Sequence, residues 1–133
     1  MSRPGWKIAS WALLVTWVTC GAMNMAHVRA GLLTSYGADL TLPAWLYITS
    51  RGLDSPSRRT LIGRYVGHTP AFAACLIVLA SALTEVSQYF WPHGLFPGVF
   101  DPLDILAYVF GVGLCYGLDT MSPRKAPPVS PSE

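Results

Sequence analysis

Long apolar runs, rather than alternating polar and apolar positions, dominate this chain. Three runs, at 8–28, 69–91 and 103–118, each contain a single acidic or histidine side chain and no lysine or arginine. A helix needs about 20 mainly apolar residues to cross the hydrocarbon core of a bilayer, so each run qualifies or nearly qualifies as a span. The amphipathic periodicity of a soluble helix is missing from all three. The pattern predicts an all-α integral membrane protein.

A further apolar segment, within residues 39–50, is harder to interpret. It is short, and Pro43 interrupts it. Extending it back to Leu32 would bury Asp39. Because proline is well tolerated in the first turn of a helix, we expect a short, kinked helix that begins between Asp39 and Thr41. A re-entrant segment is the alternative.

The basic residues favour four spans over three. Eight of the nine lysines and arginines occur before the first run, between the second and third segments, and after the last run, as Arg3, Lys7, Arg51, Arg58, Arg59, Arg64, Arg124 and Lys125, whereas 92–101 has none. Basic loops stay in the cytoplasm. A bundle of about four transmembrane helices over residues 1–121, with both termini cytoplasmic, places all of these residues on that side. The proline-rich stretch 122–133 is predicted to be a disordered cytoplasmic tail.

Composition narrows the picture further. Charged residues make up 12% of the chain and hydrophobic residues 52%, and a net charge of +2 is too small to indicate nucleic acid as a partner. Cys20, Cys75 and Cys115 lie in apolar runs without metal-binding spacing, so buried reduced thiols are expected, with no metal or cofactor. We interpret the first run as a retained helix because it is longer than a signal-peptide core. Trp6 is expected at an interface and Trp11 in helix packing.

Polar residues concentrate where the third segment ends and the fourth begins. Glu85 and Gln88 are three residues apart and share a helix face. Asp101, Asp104 and Tyr108 lie on one stripe of the next helix, which continues to Gly111 and Cys115. A small residue such as Gly111 lets a neighbouring helix approach closely. The two stripes are expected to face each other at the extracytoplasmic side.

Each polar residue also has a structural interpretation. Asp101, followed by Pro102, is placed to cap the fourth helix, and Asp104 is suited equally to a capping box or to the inward stripe. Asp39 is expected to be a cap. Glu85 has no capping role, because the helix dipole disfavours an acid near a carboxyl terminus. We therefore expect it to be functional, with Gln88 as its hydrogen-bond neighbour.

The order Glu85-x-x-Gln88, a Gly/Pro-rich turn, then Asp101-x-x-Asp104 and Gly111 resembles the VanZ-like family of small bacterial membrane proteins. The resemblance covers residues 69–119. It implies a protein of the bacterial inner membrane that works in the cell envelope, since the family's founding member is associated with low-level resistance to the glycopeptide teicoplanin. Two positions depart from the family pattern: Gly98 stands where an arginine is expected, and Tyr108 stands where an asparagine is common.

Three functions fit these observations. The first is an envelope protein that binds a lipid or glycolipid headgroup, for example of a lipid-linked envelope precursor, at the polar cluster. The second is an intramembrane enzyme in which Glu85, Asp101 and Asp104 hold a divalent cation and act on a phosphate-bearing lipid. The third is a small subunit that packs against a membrane protein partner.

Overall fold

The computed structural model describes residues 3–28, 31–55, 65–94 and 99–122. These residues form no strand and contain four α-helices, namely α1 (Arg3–Met25), α2 (Leu32–Arg51), α3 (Pro70–Phe90) and α4 (Pro102–Met121). The all-α prediction is therefore confirmed. By length and composition, α1, α3 and α4 could each cross a membrane, which fits a multi-pass membrane protein. Gly98, the arginines at 58, 59 and 64, and the predicted tail beyond Ser122 lie outside the described residues.

Helix α2 is longer than the sequence predicted. It has 20 residues, or about 30 Å at 1.5 Å per residue, which is the thickness of a hydrocarbon core. The prediction that it starts between Asp39 and Thr41 was wrong, since it begins at Leu32 and carries Pro43 in its interior. The predicted kink at Pro43 stays a prediction. The helix ends at Gly52, whose positive φ of 62° suits a residue without a side chain.

The position of α2 explains why its polar residues are tolerated. It is the innermost helix, since it packs against α1, α3 and α4, whereas α1 packs mainly against α2. Ala44, Tyr47 and Ile48 of α2 are buried in a cluster with residues of the other three helices. A helix surrounded by protein does not need a lipid-compatible surface. Hydropathy alone therefore predicts too short a helix for α2.

The outer surfaces of the helices are strongly apolar. Leu79 and Leu83 of α3, and Leu106 and Phe110 of α4, are each more than half exposed. Contiguous apolar surface on this scale is unusual for a soluble monomer. It matches helices whose outer faces contact lipid.

Gly111 brings α2 and α4 into close contact, as the stripe of small residues predicted. A methyl group built on Gly111 would overlap the backbone carbonyl of Leu40, and would also touch Ala44. The overlap is with backbone, which no side-chain rotation relieves. The contact holds the middle of α4 beside the middle of α2.

Two predictions for individual side chains in the apolar runs were wrong, because Trp11 is exposed rather than packed and Cys75 is exposed rather than buried. Trp6 is buried in the core cluster, and its placement at a membrane interface stays a prediction. Cys20 and Cys115 are buried as expected, and the three cysteines form no disulfide within the described residues. In a helix that is apolar on every side, composition does not reveal which side meets protein.

Candidate functional site

Four acidic side chains gather at the end of the bundle where α2 and α4 begin and α3 ends. We call Asp39, Glu85, Asp101 and Asp104 the acidic cluster. Three helices supply them, and the carboxyl groups of Asp39, Glu85 and Asp101 all lie near enough to Asp104 to interact electrostatically with it. The predicted convergence of Glu85, Asp101 and Asp104 is present in the structure. Asp39 also belongs to the acidic cluster, although the sequence analysis expected it to be a helix cap.

Glu85 is the most buried member of the cluster, with 3% of its surface exposed. Its Oε1 accepts a hydrogen bond of 2.7 Å from the hydroxyl of Tyr108. Its Oε2 is buried and has no hydrogen-bond partner within the described chain. Burying a carboxylate oxygen without a partner is costly, and such groups normally carry a proton, pair with a cation or bind a ligand. Glu85 is therefore a buried residue with one carboxyl oxygen that lacks a hydrogen-bond partner among the described residues.

The hydroxyl group of Tyr108, in α4, contacts acidic side chains of both α2 and α3. Its hydroxyl lies 2.7 Å from Oε1 of Glu85 and 3.4 Å from Oδ1 of Asp39. A phenol has a single hydrogen to donate, so the shorter contact with Glu85 receives it. Asp39 is left with a long and weak contact. Tyr108 thus serves as a donor inside the cluster.

Asp101 has a structural role that accounts for both its oxygens. As predicted, it caps α4, since its Oδ1 accepts from the backbone N–H of Leu103 at 2.9 Å. Its Oδ2 accepts from the hydroxyl of Tyr36 at 3.2 Å, which joins the start of α4 to α2. Pro102 occupies the first position of the helix, where no N–H is needed. Tyr36 was not identified from the sequence.

Asp104 and Gln88 differ from Asp101 in having no such role. Asp104 is half-buried, and no hydrogen bond links its side chain to the described residues, so the capping-box interpretation is not realised. Gln88 is also half-buried, and the prediction that it is the hydrogen-bond neighbour of Glu85 was wrong. Tyr108 takes that place instead. The sidechain oxygens of Asp104 therefore remain available to a ligand.

Towards the opposite ends of α2 and α4 lies a buried ion pair that the sequence interpretation missed. We call Tyr47, Arg51 and Asp119 the Arg51 cluster. The guanidinium of Arg51 lies 2.9 Å from Oδ2 of Asp119, and the hydroxyl of Tyr47 donates to the same oxygen at 2.9 Å. Arg51 also donates to the carbonyl of Gly67 at 2.6 Å, which ties the segment before α3 to α2. The Arg51 cluster therefore joins α2, α4 and the segment before α3, and the charges of Arg51 and Asp119 are paired.

Oxygen acceptors outnumber donors in the acidic cluster. Four carboxyl groups meet two tyrosine hydroxyls, and both hydroxyls already donate within the cluster. The described residues include no group of three or more His, Cys, Asp or Glu side chains arranged to hold a metal ion. The arrangement suits a ligand that donates hydrogen bonds and carries positive charge.

The chain was compared with protein-family models, with characterised proteins and with solved structures. No family model, characterised protein or solved structure matches it.

Proposed function

We propose that this chain is a VanZ-like protein of the bacterial inner membrane that binds a lipid or glycolipid headgroup at the acidic cluster. The observation that carries the proposal is the unpartnered Oε2 of Glu85, in a side chain that is 3% exposed. Nothing in the described fold requires an acid there, since Asp101 alone caps α4. An ionisable residue buried inside a membrane bundle generally marks a functional site.

The spatial meeting of the motif residues supports the family assignment. Asp104 interacts electrostatically with Glu85, and Gly111 makes the close helix contact expected of a small residue in a bundle. A short sequence pattern that folds into one site is better support than the pattern by itself.

The proposed orientation places the acidic cluster outside the cytoplasm. All four helices cross the membrane in this proposal, including α2, because its 20 residues lie between three apolar helices. The Arg51 cluster and the arginine-rich loop are then cytoplasmic, together with both termini. The cluster faces the envelope, where lipid headgroups and lipid-linked envelope precursors are its candidate ligands.

The alternatives have less support from the geometry. A divalent cation held by Glu85, Asp101 and Asp104 requires donors that converge on one point, and the described residues contain no such group. Asp101 is moreover occupied by its cap and by Tyr36. For a partner subunit, the exposed apolar faces are equally suited to lipid, so they favour no protein partner.

Orientation is tested by labelling single cysteines with a membrane-impermeant thiol reagent in intact cells. Cys20, Cys75 and Cys115 are replaced by alanine, and Leu95→Cys then reports the loop between α3 and α4. Labelling of Leu95→Cys in intact cells is expected, while the matched Ser57→Cys, in the arginine-rich loop, should react only after lysis. The reverse pattern would overturn the orientation and the envelope function with it.

Binding is tested by counting the lipid molecules that remain with the purified protein in mild detergent. The isosteric Glu85→Gln variant is expected to lose a retained lipid while its abundance in the membrane stays the same. His93→Gln serves as the control, because His93 is exposed near the same end of the bundle. Equal lipid retention by the wild type and Glu85→Gln would refute the headgroup site.

A further inference from the structure

We infer that the acidic cluster recognises a primary ammonium group, and that the phosphate of a headgroup is not what it binds. The inference rests on the proposed function, since it names the chemical class of the ligand for the same site. An ammonium group carries three N–H donors, a positive charge and no acceptor. The acidic cluster presents the complementary features.

Three carboxyl groups have oxygens available to such a ligand. Oε2 of Glu85 is buried without a partner. Asp104 has no side-chain hydrogen bond to the described residues, and Asp39 has only the 3.4 Å contact to a hydroxyl whose hydrogen is directed at Glu85. The three acceptors come from α2, α3 and α4, one each. A group with several donors therefore finds an available acceptor on each of the three helices.

The described charges at this end of the bundle disfavour a phosphate at the same position. Asp39, Glu85 and Asp101 all surround Asp104 with like charge. Lys7 and Arg51, whose side chains are described, belong to the opposite ends of their helices. In the sequence of the two loops at the acidic end, 26–31 and 91–101, Arg29 is the single lysine or arginine, and it lies outside the described residues. Carboxylates that no described lysine or arginine approaches repel an anion and attract an amine.

The selectivity is measured on the full chain, purified in detergent and titrated with three lipids while bound lipid is resolved by native mass spectrometry. Phosphatidylethanolamine carries the ammonium group. Phosphatidylcholine has the same phosphate and charge but no N–H donor, and phosphatidylglycerol has the phosphate without the amine. We expect phosphatidylethanolamine to bind at least about tenfold more tightly than either, because charge-assisted hydrogen bonds are the strong ones.

Two variants connect the selectivity to the site. Glu85→Gln is expected to weaken phosphatidylethanolamine binding by about tenfold or more and to leave the other two lipids unchanged. Asp104→Asn, at a half-buried position whose side chain has no hydrogen bond to the described residues, gives the same test if Glu85→Gln does not accumulate. His93→Gln should match the wild type for all three lipids.

The source of the amine is separated by adding free ethanolamine as a competitor. If ethanolamine displaces phosphatidylethanolamine, a soluble amine is a sufficient ligand. If it does not, the ligand is the lipid itself, and both results support recognition of the ammonium group.

Equal affinity for the three lipids would overturn the ammonium inference. A headgroup site would survive that result if Glu85→Gln lowered retention of all three, whereas no effect of Glu85→Gln on any lipid would remove the site as well. A loss of binding in Arg29→Gln, with none in Glu85→Gln, would show that a phosphate is recognised and would also overturn the inference.

Discussion

Tyr108 of α4 donates a 2.7 Å hydrogen bond to Oε1 of Glu85 in α3, and it is the donor that satisfies half of a buried carboxyl group. Without this hydroxyl, both oxygens of Glu85 would lack a partner among the described residues. The bond also links α3 to α4. One contact thus contributes both to the packing of two helices and to the shape of the proposed site.

Tyr108→Phe is therefore expected to destabilise the bundle by about 1–2 kcal/mol, within the range for hydrogen bonds between membrane helices. The free energy of unfolding is measured by titrating the detergent-solubilised protein with a denaturing detergent. Tyr116→Phe is the control, because Tyr116 is exposed on the same helix. In the double variant Tyr108→Phe/Glu85→Ala, the changes in unfolding free energy should not add, since each single change already removes the bond. Full additivity would show that the two side chains do not interact.

Gly111→Ala tests the contact between α2 and α4. Its methyl group would overlap the Leu40 carbonyl, so we expect a loss of about 1–3 kcal/mol, as for overpacked cores. Gly113→Ala is a matched control two residues away, where an added methyl meets nothing within 4 Å. That variant should be neutral or more stable by up to about 1 kcal/mol, because alanine favours a helix. Equal effects of the two substitutions on thermal stability would contradict the packing.

The Arg51 cluster predicts a large effect of breaking an ion pair. Arg51→Ala removes the guanidinium group that pairs with the buried Asp119, and the expected loss is about 3–5 kcal/mol. Arg51→Lys keeps the charge but not the planar fork that reaches both Asp119 and the Gly67 carbonyl, so it should be intermediate. Thermal unfolding in detergent ranks the variants. The double variant Arg51→Met/Asp119→Leu removes both charges and should be more stable than Arg51→Ala. If it were less stable, breaking the ion pair would not explain the loss in Arg51→Ala.

The parts of the fold that face lipid could be predicted from the sequence, because a bilayer imposes a plain rule on length and hydropathy. Helices α1, α3 and α4 follow it. Helix α2 does not, since protein surrounds it and Asp39 lies inside it rather than at its start. The rotation of α1, which buries Trp6 and exposes Trp11, depends on tertiary contacts that a uniformly apolar run does not encode.

For the site, the sequence predicted which α3 and α4 residues meet and missed what α2 contributes. Glu85 and Asp104 follow from helical spacing and a short turn, whereas Tyr36 and Asp39 reach the cluster through packing alone. The stripe that ends at Cys115 continues by one step of four to Asp119. That step, with Tyr47 and Arg51 four residues apart, was a usable signal for the ion pair. Arg51 had been interpreted only as a determinant of topology.

Asp101 and Asp104 differ in role, and their substitutions should separate stability from binding. Asp101→Ala removes the cap of α4 and the acceptor of Tyr36, so we expect a loss of about 1–2 kcal/mol, while Asp101→Asn keeps a capping oxygen and costs less. Asp104→Ala removes no hydrogen bond to the described residues and should leave the unfolding free energy within about 0.5 kcal/mol of the wild type. In the lipid-retention measurement, however, Asp104→Ala is expected to lower binding. If Asp104→Ala destabilised the protein as much as Asp101→Ala and retained lipid normally, Asp104 would be a structural residue and not part of the site.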